Sequence, residues 1–367
     1  MNQLAHIIRD EIRREGPMSF RRYMELCLYH PAHGYYERTP LQQTGRQGDF
    51  YTSVSVGTVF GELLAAFIAQ EVRELSRPLD IVEAGAHAGH LARDILQALQ
   101  AAAPDIFAHV TYRILEPSAS RRVVQAETLS AFGRKITWAN GIEDIPDNSL
   151  RGVILSNELL DAFPVHRIGW SAGDKAWFEW LVDWPDNDAA PTWYRTEPVA
   201  LPSALKPHLP PVIEPLASLL PDGFTTEICP AARDWWTTAV RKLNAGWLLT
   251  FDYGLEALDF LSPERAQGTL RAYRNHRLVD EPLSDAGEQD LTAHINFTAI
   301  REAGEQTGLL TKHDEAQARF LTRILASANT GTKPPAFNWT PSQVRQFQTL
   351  THPDHLGRSF RVLAQRR

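Results

Sequence analysis

The sequence predicts an α/β fold built on a mostly parallel sheet with helices on both faces. Three observations carry that expectation. Short apolar runs at Leu79–Glu83, Val110–Leu115, Ile136–Trp138 and Gly152–Ser156 alternate with helically spaced stretches at Gly89–Ala101 and Ser118–Leu129. Such alternation implies right-handed crossovers between parallel strands. The first run enters its helix through a glycine-bearing turn, DIVEAGAHAGHLARDIL (80–96). Hydrophobic residues make up 43% of the 367 residues and charged ones 22%, which permits a packed core and argues against wholesale disorder.

In chain order, MNQLAHIIRDEIRREG sets Leu4, Ile7, Ile8 and Ile12 at helical spacing, predicting a helix over 2–15. A second, over 19–29, opens at Pro17-Met18-Ser19 with Ser19 as N-cap. Asp10, Glu11 and Glu15 argue against a transit peptide, and no signal-peptide apolar core is present. The segment Pro31–Ser53 is rich in Gly, Gln and Thr without periodicity, which reads as a lid or binding segment, the alternative being an ordinary surface loop. A helix follows from Val56 to about Leu75, and then the strand–helix rhythm begins.

Beyond it, PVHRIGW and KAWFEWLVDW within 163–200 alternate apolar and aromatic residues, the pattern of an antiparallel hairpin. Nine prolines between Pro185 and Pro221 exclude a continuous helix or central strand there. A helix over 231–243 leads into the buried strand GWLLTFDYG. Helices are expected near 296–306, 314–327 and 341–349, with SFRVLAQ as the last strand. The chain thus divides into N-terminal helices and a lid segment (1–55), a core (56–170 and 224–367) and a Pro-rich β insertion on the substrate side (171–223).

Composition narrows the function classes. The net charge is −7 with no lysine or arginine run, so no nucleic-acid face is expected. Cys27 and Cys229 are the two cysteines, too few for a disulfide framework or a zinc site. No segment reaches the roughly 18–20 apolar residues that span a bilayer, so membrane insertion is not expected. The expected setting is the reducing cytoplasm of a bacterial-type cell.

In an open parallel sheet, ligands bind beyond the carboxyl ends of the strands. Glu83-Ala-Gly85-Ala86-His87-Ala-Gly89 lies at such an end. Gly85 permits the sharp turn, Gly89 lets the helix approach the strand, and Glu116 ends the next strand where a carboxylate can accept both ribose hydroxyls. His87 stands at the middle position, where a ligand-touching loop has glycine. Histidine is among the residue types enriched at positive φ, so only a ring turned into the pocket would block it. No Gly-Lys-Ser/Thr is present, which removes a P-loop NTPase. The loop also lacks two glycines of G-x-G-x-x-G, so acid, short turn and acid fit S-adenosyl-L-methionine better than a pyrophosphate-bearing dinucleotide. The alternative is a tight strand-to-helix turn with no ligand.

These residues sit within a longer series: PMSFRRYMELCLYHPAHGYY (17–36), GDFYTS and FGELL (48–64), EAGAHAGHLARDIL (83–96), SNELLDAFPVHRI (156–168), FDYG (251–254), GTLRAYRNHRL (268–278), GEQDLTAHINF (287–297) and LGRSFRVL (356–363). In order and spacing the series resembles the MidA-type methyltransferases, whose mitochondrial members are assembly factors of respiratory complex I. The resemblance implies a class I, Rossmann-like methyltransferase fold with an N-terminal helical extension and inserted α/β segments. It also implies methylation of a protein arginine, in the best-known case on the complex I subunit beside the quinone site. Carried over, Glu83, Gly85, Ala86, His87 and Gly89 form the first motif, Glu116 is the ribose acid, and Asp49, Phe50, Thr52 and Ser53 belong to the segment that closes over the cofactor. Asn157, Glu158 and Asp161 form the motif after the fourth strand. The chain departs from the family at His87 (usually glycine), at Val54-Ser55 (usually Pro-Glu) and at Asn296 (commonly aspartate), where the asparagine still serves as a helix N-cap.

Methyl transfer to arginine needs alignment, a water-poor pocket and relief of a proton from the guanidinium. Carboxylates hold the planar fork and favour proton loss, which selects Glu158 and Asp161, with the Asn157 amide beside them. The competing reading makes Asn157-Glu158 a helix cap. Asp252-Tyr253 is a second wall candidate. Glu288, Asp290 and His294 read as an ion-paired turn rather than a metal site, with Arg271, Tyr273, Arg274 and His276 pairing with these acids. The expected partner is a protein substrate, a complex I subunit by resemblance, and a homodimer is the possible assembly. Competing functions are a non-catalytic assembly chaperone with a degenerate cofactor site and a small-molecule N- or O-methyltransferase.

Overall fold

The structure is a computed structural model that describes residues 2–37, 52–185, 190–212, 214–274, 277–330 and 337–367. Backbone contacts gather the chain into two units. One comprises Pro40–Leu159, Trp235–Gly254 and Ile300–Arg367, the other Met1–Thr39, Leu160–Asp234 and Leu255–Ala299.

The first of these holds the expected sheet. Its strands are β1 (Leu79–Ala84), β2 (Val110–Leu115), β3 (Ile136–Ala139), β4 (Leu150–Asn157), β5 (Leu243–Leu255), β6 (Leu310–Ala316) and β7 (Phe360–Arg366). They lie in the order β3-β2-β1-β4-β5-β7-β6. Pairing is parallel from β3 through β5, and β7 runs antiparallel between β5 and β6. Central strands of a sheet covered on both faces must be apolar along their whole length. Ile81, Val82, Val153, Ile154, Leu155, Leu248, Leu249 and Phe251 are accordingly all buried. Strand order reverses between β1 and β4, so the crevice beyond their carboxyl ends is the ligand position for this topology. Register sets Ala84 beside Ser156 and Asn157 beside Phe251.

One expectation about the C-terminal helices shifts. Leu310–Ala316 is a strand, and the helix expected from 314 begins at Gln317 and runs to Asn329. The polar run KHDE has weak strand preference of its own; pairing with β7 imposes the extended form, because β propensity yields to sheet context.

The second unit opens with the helices Gln3–Glu15 and Phe20–Tyr29. Ser19 caps the latter, accepting from the Arg22 amide at 3.2 Å. The expected hairpin is present as His166–Ser171 paired antiparallel with Ala176–Asp183. That sheet extends further: Thr225–Ile228 joins the outer edge of His166–Ser171, while Met18–Ser19 and Thr192–Arg195 pair with Ala176–Asp183. These ladders draw 160–170 and 224–234 into this unit and leave 171–223 as part of a larger sheet; the unit also takes in 255–299, and the sequence placed all three stretches with the core. The prolines fall between strands, where the chain makes short turns at Pro198–Ala200 and Ser203–His208. Among the described residues, no helix is long and apolar enough to cross a membrane.

Candidate cofactor and active site

The turn after β1 meets its conformational needs with two glycines and one histidine. Gly85 and Gly89 have φ of 79° and 81°, and a Cβ would lie 3.1 Å from Leu159 Cδ1 at the first and 3.3 Å from Leu129 Cδ1 at the second. His87 also lies in the left-handed region, at φ 46°, as its residue type permits. His87 is half-buried, and burial, with Arg121 and His90 nearby, lowers its pKa to about 4. The imidazole is therefore neutral at physiological pH. The Gly89 amide donates to the Ala86 carbonyl at 2.7 Å and closes the turn into the helix His90–Ala102. Glu83, one residue short of the end of β1, is buried and accepts from the Tyr112 hydroxyl at 2.7 Å. Burial raises its pKa to about 7 against the lowering effect of that hydrogen bond.

Glu116, just past β2, is buried too. Its Oε1 accepts from the Ser118 amide at 3.0 Å and its Oε2 from Gln125 Nε2 at 3.1 Å. Two donors fix the carboxylate rotamer. Gln125 was not foreseen from the sequence, for no motif marks it. It lies on the helix Ala119–Thr128, is fully buried, and also donates to the His87 carbonyl at 2.9 Å while accepting from Trp138 Nε1 at 2.9 Å.

At the end of β4, Glu158 adopts φ 51°, a conformation that non-glycine residues hold only where surrounding structure enforces it. Three contacts do so. Its amide donates to the Phe251 carbonyl at 2.9 Å, and its Oε1 accepts from Asn157 Nδ2 at 2.9 Å and from the Ser53 amide at 3.4 Å. The next amide, of Leu159, donates to Asp252 Oδ2 at 3.2 Å, and Asp252 is fully buried. Asp252 thus supports the turn, and Tyr253 packs on Phe360 with ring centroids 4.1 Å apart. Among the described residues, Asn157 Oδ1 is buried with no hydrogen-bond partner. A buried carbonyl oxygen in that condition fits a donor supplied by a ligand.

Ser53 is buried, with its hydroxyl donating to Gln317 Oε1 at 3.1 Å. Thr52 and Ser55 close a turn on each other: Ser55 Oγ donates to the Thr52 carbonyl at 2.8 Å and the Ser55 amide donates to Thr52 Oγ1 at 3.1 Å. Asp49 and Phe50, expected in the same segment, lie outside the described residues. Asp161 clusters with the other unit, where it is buried and its carbonyl accepts from the Ala293 amide at 2.9 Å.

In that unit Asn296 caps its helix as expected, accepting from the Ala299 amide at 3.0 Å. Arg274 pairs with Asp285 at 2.7 Å and Glu288 at 3.0 Å, while Asp290 accepts from the Tyr36 hydroxyl at 2.8 Å. His276 lies outside the described residues.

The strand ends therefore bring together Gly85, Ala86, His87, Glu116, Asn157, Glu158, Asp252 and Ser53. The polar side chains are carboxylates and an open amide oxygen, which suits a ligand with hydroxyls and positive charge. A nucleoside joined to a sulfonium and an ammonium group answers that description better than a pyrophosphate.

Comparison with known proteins agrees. A family model for S-adenosyl-L-methionine-dependent methyltransferases matches residues 63–314. A Burkholderia thailandensis protein solved with S-adenosyl-homocysteine bound is 31% identical, with a TM-score of 0.82 over 99% of this chain and 92% of that one. The protein arginine methyltransferase NDUFAF7 homolog, mitochondrial, of Drosophila melanogaster is 28% identical over 397 residues, covering 98% of this chain and 84% of the relative. The corresponding Xenopus laevis protein is 25% identical over 410 residues, covering 98% and 83%. With the fold, the strand-end site and a match over most of its length in agreement, this chain belongs to the MidA-type family of S-adenosyl-L-methionine-dependent methyltransferases.

Proposed function

We propose that the protein methylates an arginine side chain of a protein substrate, with Glu158 as the proton-accepting carboxylate and Asn157 as its partner in holding the acceptor. Relatives named for protein arginine methylation support the choice of acceptor, and the family resemblance extends it to a subunit of a respiratory complex I. The observation that carries the reading is Glu158, held at φ 51° by the hydrogen bond its N–H donates to the Phe251 carbonyl and by two donors on Oε1.

The cofactor supplies an electrophilic methyl group. Everything else falls to side chains. Glu116 would accept hydroxyl donors of the ribose, and the turn at Gly85–Gly89 would let the ligand approach the backbone. The guanidinium of arginine is protonated at any physiological pH and has no free lone pair. A charged carboxylate at Glu158 aligns that planar group by paired hydrogen bonds and takes its proton as attack proceeds. Asn157 Oδ1 accepts an N–H of the incoming guanidinium and fixes its rotation. We place the protein in the cytoplasm, consistent with Cys27 and Cys229 both being free thiols.

The test is incubation with methyl-labelled S-adenosyl-L-methionine and arginine-bearing proteins, complex I subunits among them, followed by acid hydrolysis. Labelled methylarginine is the expected product. Label in another residue or only in small molecules would overturn the acceptor assignment.

A further inference from the structure

We infer that Gln125 is a positioning residue of the cofactor site, its side chain joining the glycine turn to the ribose acid. It rests on the reading of Glu116 as the ribose acceptor and is independent of which acceptor is methylated.

The geometry is specific. An amide side chain offers two N–H donors and one oxygen acceptor. Gln125 Nε2 spends its donors on the His87 carbonyl at 2.9 Å and on Glu116 Oε2 at 3.1 Å, and Gln125 Oε1 accepts from Trp138 Nε1 at 2.9 Å. The indole N–H can only donate, so it settles which end of the amide is oxygen and aims the NH2 at the other two partners. The residue is fully buried, the one buried side chain of the helix Ala119–Thr128.

Each contact has a physical consequence. The bond to Glu116 is charge-assisted and, with the Ser118 amide, holds the carboxylate in one rotamer. The bond to His87 secures the peptide that follows the left-handed residue at φ 46°. A Cβ in that region is disfavoured by roughly 1–2 kcal/mol, and a hydrogen bond from the buried Gln125 amide to the His87 carbonyl is of a size to offset much of that. Leucine at 125 would keep the volume and remove both donors, leaving the His87 carbonyl, Glu116 Oε2 and Trp138 Nε1 to find other partners.

The experiment is a double-mutant cycle on the full chain, read by isothermal titration with S-adenosyl-homocysteine. Gln125→Leu should weaken binding about tenfold to a hundredfold, the size of a lost charge-assisted hydrogen bond, and Glu116→Ala should weaken it by at least as much. In the Glu116→Ala background, Gln125→Leu should cost a smaller factor, because the contact to Glu116 is already gone and only the bond to the His87 carbonyl is left to lose. A purely structural glutamine would instead cost the same factor in both backgrounds, and that additivity overturns the proposal. Should Gln125→Leu fail to fold, Trp138→Phe serves: it removes only the donor that orients the amide. It should weaken binding severalfold in wild type and not in Glu116→Ala, while an equal or absent effect in both counts against Gln125. If Glu116→Ala itself binds normally, the ribose assignment falls and takes this inference with it. If Glu116→Ala weakens binding but Gln125→Leu does not, the ribose assignment survives and Gln125 alone loses its role.

Discussion

At the scale of single residues, three backbone positions decide whether the site exists. Gly85, His87 and Glu158 all hold positive φ, at 79°, 46° and 51°. Only the first is glycine, and its conformation is what a side chain would contest. Gly85→Val puts a β-branched residue into the left-handed region with its Cβ 3.1 Å from Leu159 Cδ1. We expect loss of measurable S-adenosyl-homocysteine affinity by titration; near-normal affinity would mean the ligand does not use this turn. His87 keeps the turn in its left-handed form although it is not glycine. Glu158→Gln tests the chemistry. An amide oxygen still accepts from Asn157 Nδ2 and the Ser53 amide, so the turn survives, but the negative charge is lost. Turnover should fall by about 10²–10⁴-fold, the usual contribution of a general base, with cofactor affinity within about threefold. Unchanged turnover would move the proton acceptor elsewhere.

At the scale of elements, the β1 turn, the end of β4 and the acid after β2 were legible because each is a local pattern: glycine at a bend, a polar cluster after an apolar run. What escaped the sequence depends on partners far along the chain. The end of β6 from Asp314 reads as the start of a helix because Asp314 and Glu315 have no strand preference, and the ladder to β7 extends them. Gln125 and Gln317 are fully buried glutamines on amphipathic helices, a signal indistinguishable from a solvent-facing polar residue until the helix is docked. Gln317 joins three elements: its Oε1 accepts from Ser53 Oγ at 3.1 Å and its Nε2 donates to the Leu350 carbonyl at 3.1 Å. Gln317→Leu strands both buried partners and should destabilise by about 1–3 kcal/mol, measured by urea unfolding. Ser53→Ala should cost less, and the pair together no more than Gln317→Leu alone. Additive losses would show the two side chains to be independent.

At the scale of the whole molecule, buried titrating groups pull stability in opposite directions with pH. Glu83 has a folded pKa of about 7 against 4.5 for an ordinary glutamate, because burial disfavours its charge. Between those values the folded chain holds a proton that the unfolded chain has released. Stability from this group therefore falls as pH rises from about 4.5 to about 7, by about 3 kcal/mol in all, and stays at the lower level above. His87 and His294 act oppositely: burial lowers each from 6.5 to about 4, so their contribution is lost as pH falls from about 6.5 toward 4. A wild-type profile mixes the two trends, and the cofactor must be left out because binding adds its own stabilisation. Glu83→Gln separates them. Glutamine cannot ionise, yet its amide oxygen can still accept from the Tyr112 hydroxyl, as Glu83 Oε2 does at 2.7 Å. Urea unfolding of both proteins at pH 5, 6, 7 and 8 should give a mutant-minus-wild-type difference that grows in the mutant's favour up to about pH 7 and then levels off. Because both histidines are present in both proteins, their contribution cancels in that difference. A difference that does not change with pH would mean Glu83 is ionised throughout the range, and the site would then carry one more negative charge at the end of β1 than its burial allows.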